Sequence, residues 1–164
     1  MIRPFVPWPD KRLKTACEPV KAVTDQIRDI WADMVETMDA MPGLGLAAPQ
    51  IGVMLRLAVV DCSEERGQAV LLANPEVLHA SAKLRDHEEA SPNLPGVSAV
   101  IKRPRAVTLR FLNAAGEVEE KDFVGLWATS VQHQIDHLDG RMYFDNLSKV
   151  KRDILLRKAR KAGR

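Results

Sequence analysis

Apolar residues recur at intervals of three and four in one early stretch of the chain: Ile27, Ile30, Trp31, Met34 and Met38. That spacing lines one side of a 3.6-residue helix. The helix is expected to start at Thr24, a good capping residue, to end at Pro42-Gly43, and to bury its stripe against a sheet. From Leu55 onward the period changes to two. Leu55 to Asp61, Ala69 to Ala73, Glu76 to Leu84, Val97 to Lys102, Ala106 to Leu112 and Glu117 to Val124 are short, rich in β-branched residues and often alternating, which is the pattern of strands. Turns at Glu65-Arg66-Gly67 and Asn113-Ala114-Ala115-Gly116 fold them into antiparallel hairpins. A helical pattern returns at about Leu126 to Asp139, with Val131, Ile135 and Leu138 toward the core. Another runs from about Leu147 to Lys161, capped by Asn146 or Ser148, with Val150, Ile154 and Leu155 on one side. Residues 3 to 20 hold Pro4, Pro7, Pro9 and Pro19, so an extended, anchored lead-in is expected there.

The chain has 164 residues, 46% hydrophobic and 28% charged. Those values fit one soluble domain over residues 1–164 with a sizeable core, and they exclude disordered and membrane classes. The net charge of +2 is uninformative, but the run from Lys149 to Arg164 holds eight Lys or Arg and one acid, Asp153. Such a helix suits contact with RNA phosphates, and equally a solvated terminal helix. Cys17 and Cys62 form neither a disulfide framework nor a metal-ligand spacing. With no signal-like or membrane-spanning apolar run, a cytoplasmic location is expected.

Candidate chemistry sits in Ser130 to Gly140, SVQHQIDHLDG. His133 and His137 are four apart and project from one helix face, where they suit one metal ion or a metal-free pair. Gln134 follows the first histidine. A hydrolase of the HExxH kind needs a carboxylate there to take a proton from metal-bound water, and an amide cannot accept it. Gly43 to Gly52, GLGLAAPQIG, carries no Lys-Ser/Thr and follows no strand, so a phosphate loop is a poor reading. Its glycines, Gly43 and Gly45, offer unusual φ values and room for an extended peptide to pair alongside.

Three stretches in this order, GLGLAAPQIG (43–52), EASPNLPGV (89–97) and QHQIDHLDG (132–140), resemble the three signature motifs of the peptide deformylase family. The likeness extends to ANPEVL at Ala73 and YFDNLS at Tyr143. It implies an α+β fold: antiparallel sheets around a central helix carrying both histidines, with a C-terminal helix. Members remove the formyl group from N-formylmethionine at the start of new bacterial proteins. By position, the resemblance assigns the metal ligands to His133, His137 and Ser91, where the family has cysteine. It assigns the catalytic base to Gln134, where the family has glutamate, and an oxyanion donor to the Gln50 amide. Gly43, Gly45 and Pro92 fall on the substrate groove, Pro92 where the family's leucine donates a backbone N–H to the formyl oxygen. Glu89 is expected to pair with a basic residue such as Arg105, or to substitute as a ligand.

Each departure removes a function. A hydroxyl is a weaker ligand than a thiolate, and proline has no N–H. The resemblance then implies a divalent iron, zinc or nickel ion held at reduced affinity or not at all, and deformylation lost or strongly reduced. The implied partners are N-formylmethionyl or nascent peptide N-termini, with the ribosome through the basic helix. An active deformylase with an unusual metal shell is the alternative. A metal-free hydrolase using Ser91 with either histidine has no GxSxG elbow to support it.

Overall fold

The computed structural model describes residues 1–163; Arg164, the last residue of the basic run, lies outside the described residues. Helix α1 spans Asp25–Ala40, and the Thr24 hydroxyl accepts from the Ile27 amide at 3.3 Å. Seven strands follow: β1 Gly45–Ala47, β2 Leu57–Val60, β3 Val70–Ala80, β4 Leu84–Ser91, β5 Leu94–Pro104, β6 Ala106–Leu112 and β7 Val118–Val124. Helix α2 is Leu126–Leu138 and helix α3 is Lys149–Ala162. The antiparallel order β1-β2-β3-β6-β7 makes a five-stranded sheet, while β4 and β5 form a separate hairpin.

All four residues of β2 are buried, because the sheet is covered on both faces. Side chains alternate across a strand, so Leu57 and Val59 meet the α1 stripe, including Trp31 and Met34. Ala58 and Val60 meet Val131 and Leu138 of α2 instead. A third cluster, with Leu13, Ile101, Tyr143 and Leu155, closes the far end beneath β5 and α3.

Four expectations need correcting. The lead-in is not extended throughout, since Lys11–Lys14 form a 3-10 turn capped by Asp10. Ala69–Ala73 and Glu76–Leu84 are one strand rather than two: Asn74, at φ 50°, breaks register inside β3 without ending it. Strand β4, LRDHEEAS, falls where no strand was expected, because the side it covers carries Arg85, His87, Glu89 and Ser91, none of them apolar. In α3 the Ser148 cap and Leu155 hold, whereas Val150 and Ile154 are exposed and Ala159 takes their place in the core.

Candidate functional site

Helix α2 runs between the five-stranded sheet and the β4–β5 hairpin, and its groove-facing side carries Ser130, His133 and Gln134. A groove of about 520 Å³ opens there. The groove is lined by the expected substrate residues Gly43, Gly45 and Pro92, by Gln50 and Gln134 from the catalytic positions, and by Ser91 and His133 from the metal positions. His137 sits one turn deeper, at 1% exposure.

Neither Gly43 nor Gly45 adopts a left-handed φ, which corrects the sequence expectation. Gly45 is demanded by a close approach. A Cβ there would come within 2.5 Å of Gln134 Nε2 and 2.6 Å of Ser130 Oγ. Gly140, which stops the chain just past α2, does need its freedom: φ is +78° and a Cβ would lie 2.9 Å from the Lys14 and Thr15 carbonyl carbons.

The two histidine Nε2 atoms stand 3.2 Å apart. Two Zn–N bonds of about 2.0–2.1 Å at a tetrahedral angle would place the nitrogens roughly 3.3–3.4 Å apart, so the pair suits one ion as well as one shared hydrogen. Burial holds the His137 imidazole well below its ordinary pKa, helped by His133 and Arg103, so it stays neutral. His133 turns Nδ1 to Glu89 Oε1 at 2.7 Å. Burial alone would raise the Glu89 carboxyl, but hydrogen bonds from His133 and Arg103 outweigh it and hold the carboxyl below its usual range. Ionised Glu89 accepts only, so His133 Nδ1 carries the hydrogen.

Arg103, not Arg105, is the basic partner. Its Nε and Nη2 donate to Glu89 at 2.8 and 3.0 Å, and Nη2 also reaches Asp136 Oδ2 at 3.0 Å. Arg105 is exposed. The arrangement ties β4, β5 and α2 together and leaves Glu89 unable to serve as a metal ligand.

Ser91, to which the resemblance gives the third ligand position, is 4% exposed. Its hydroxyl donates to Asn93 Oδ1 at 3.1 Å and accepts from Gln50 Nε2 at 3.3 Å, with neither histidine among its partners. A serine–histidine nucleophile pair is therefore not formed. No group of three His, Cys, Asp or Glu side chains among the described residues could hold a metal ion. Two imidazoles and a hydroxyl engaged elsewhere do not fit the three-ligand shell that the family resemblance implies.

Sequence reasoning passed over two residues here. Asn93, inside the EASPNLPGV stretch but given no role there, hydrogen-bonds Gln50, Ser91 and the lead-in. Tyr143 stacks on His133 with ring centroids 5.9 Å apart and planes 15° apart. Its buried hydroxyl has no partner among the described residues, and burial with the nearby Glu89 charge pushes its pKa up to about 12. No periodicity marks either residue.

A family model described as Polypeptide deformylase matches residues 2–153. A peptide deformylase of Afipia carboxidovorans is 42% identical over 165 residues, which cover 99% of this chain and 96% of that protein. The solved peptide deformylase of Ehrlichia chaffeensis superposes with a TM-score of 0.92 at 33% identity, covering 99% of this chain and 97% of that one. The Ehrlichia chaffeensis enzyme in complex with actinonin gives 0.91 at 35% identity, covering 99% and 98%.

Proposed function

This chain belongs to the polypeptide deformylase family, and from that premise we propose that it keeps the family's peptide groove while having lost, or nearly lost, metal-dependent removal of formyl groups. It acts as a binding module for N-formylmethionyl or other nascent peptide N-termini in the cytoplasm. The observation that supports this is the coincidence, in one groove, of three groups unable to do the family's work: the Ser91 hydroxyl, the Pro92 nitrogen without hydrogen and the Gln134 amide. General acid-base help contributes about 10² to 10⁴ in rate, and one oxyanion donor about 10² to 10³. The losses do not simply multiply, because such residues act as a unit.

The residues that remain can bind and orient. Gly45 leaves the groove open beside β1, and the Glu89–Arg103 pair fixes the hairpin wall against α2. Metal analysis of protein purified without chelators, run beside a formyl-Met peptide assay, tests the reading. It expects far less than one ion per chain and negligible turnover. Near-stoichiometric iron, nickel or zinc with turnover of about 1–10³ s⁻¹ would overturn it.

One observation favours a second reading, an active deformylase with an unusual shell: the two imidazole nitrogens still converge, with Glu89 behind His133. In that case Gln134→Glu raises an activity already measurable and His133→Ala abolishes it. The ribosome is the proposed partner of α3, whose exposed bases include Lys151, Arg157, Lys158 and Lys161. Reversing those four charges should abolish co-sedimentation with ribosomes; unchanged co-sedimentation would exclude α3 as the contact.

A further inference from the structure

Three buried side chains at the turn after β4 hydrogen-bond chiefly to one another. Gln50, Ser91 and Asn93 are 2%, 4% and 2% exposed. Gln50 Nε2 donates to Asn93 Oδ1 at 2.8 Å and to Ser91 Oγ at 3.3 Å, while its Oε1 accepts from the Ala47 amide at 2.9 Å. A carboxamide nitrogen has two hydrogens, so both are engaged. Asn93 cannot swing aside to release them. Its Nδ2 donates to the backbone oxygens of Val6 at 2.6 Å and Gln50 at 3.0 Å, and its backbone carbonyl accepts from the Trp8 amide at 2.8 Å.

We propose that Asn93 is a fourth determinant of the lost reaction: a positioning residue that commits the Gln50 amide to the protein interior. Gln50 is the one oxyanion donor this chain still carries from the family pattern. One of its hydrogens rests only on the 3.3 Å bond to Ser91 Oγ, but turning the amide toward charge developing in the groove strains the 2.8 Å bond that holds it to the buried Asn93 Oδ1, and an unpaired buried acceptor is costly. A serine at this place is too short to span from Val6 to Gln50 and would leave the Gln50 amide without that acceptor. Restoring Ser91, Pro92 and Gln134 to the family's residues is therefore not enough. The inference rests on the reading that formyl removal has been lost.

The test compares Ser91→Cys/Pro92→Leu/Gln134→Glu with the same variant carrying Asn93→Ser, both loaded with nickel and assayed on a formyl-Met peptide. Metal content and KM should be alike, and kcat higher by about 10²–10³ with Asn93→Ser. A kcat gap under about threefold, or one accounted for by metal content or KM, overturns the proposal. A second measurement involves no reaction. The Gln50 side-chain NH₂ resonances of the otherwise natural protein, assigned by their loss in Gln50→Glu, should exchange slowly with water, and markedly faster in Asn93→Ser. Unchanged exchange would equally overturn it, and where the variants take up no nickel this measurement decides. An active natural protein would defeat the proposed loss of function, leaving the hold of Asn93 on Gln50 to be judged by exchange alone.

Discussion

Arg103 and Arg105 flank Pro104, yet only the first has work in the interior. Arg103→Ala takes the guanidinium from two carboxylates, one fully and one largely buried, leaving Glu89 only His133 and Asp136 only Asn146 within hydrogen-bond distance, and should cost about 3–5 kcal/mol in a urea melt. Arg105→Ala removes an exposed side chain and should stay within about 0.5 kcal/mol; equal losses would refute the assignment. That Glu89 needed a cation was legible in the sequence. Which arginine supplied it depended on the register of the β4–β5 hairpin, where Glu89 sits opposite Ala99, and β4 itself carried no legible pattern. The cysteines give a second expectation. Burial pushes both thiols up to about 11, so iodoacetamide should label neither Cys17 nor Cys62 appreciably at pH 7, since the thiolate is the nucleophile.

The elements most legible in the chain were those marked by an apolar stripe, an alternation or a short unbroken apolar run. Helix α1 and its Thr24 cap, the core of α2, and β2, β6 and β7 follow their patterns. Strand β4 and the buried face of α3 do not, because tertiary neighbours rather than local alternation decide which side is covered. Strand β1 illustrates the constraint that glycine spacing alone could not explain. Gly45→Ala forces the α2 side chains Gln134 and Ser130 aside, and should cost about 1–3 kcal/mol and weaken peptide binding in a titration. The turn leaving β2 is anchored by Asp61, whose buried carboxylate accepts from the Ser63 amide at 3.0 Å, the Ser63 hydroxyl at 2.6 Å and the Gln68 amide at 3.0 Å. Burial opposes ionisation, but these bonds and the Arg66 charge outweigh it and hold the carboxyl below its ordinary value. A depressed folded pKa means the stabilisation is complete above the unfolded value of about 3.9 and fades as pH falls through the folded one. Thermal melts of the natural protein and Asp61→Asn should therefore differ most near neutrality and converge in strong acid.

For the whole molecule, the question is whether an ion contributes to folding. A ligand at one hundred times its Kd stabilises the state that binds it by about 2.7 kcal/mol, or about 5–10 °C in Tm for a chain of this length. With no three-ligand set among the described residues, adding nickel or zinc in place of a chelator should move Tm by less than about 1 °C. A shift of several degrees would mean that a working shell exists. What ties the β4–β5 hairpin to α2 instead is the Glu89–Arg103–Asp136 junction, made entirely of charges the chain brings with it. On the proposed reading, a cell starved of iron should therefore keep this protein at undiminished abundance, with its groove intact.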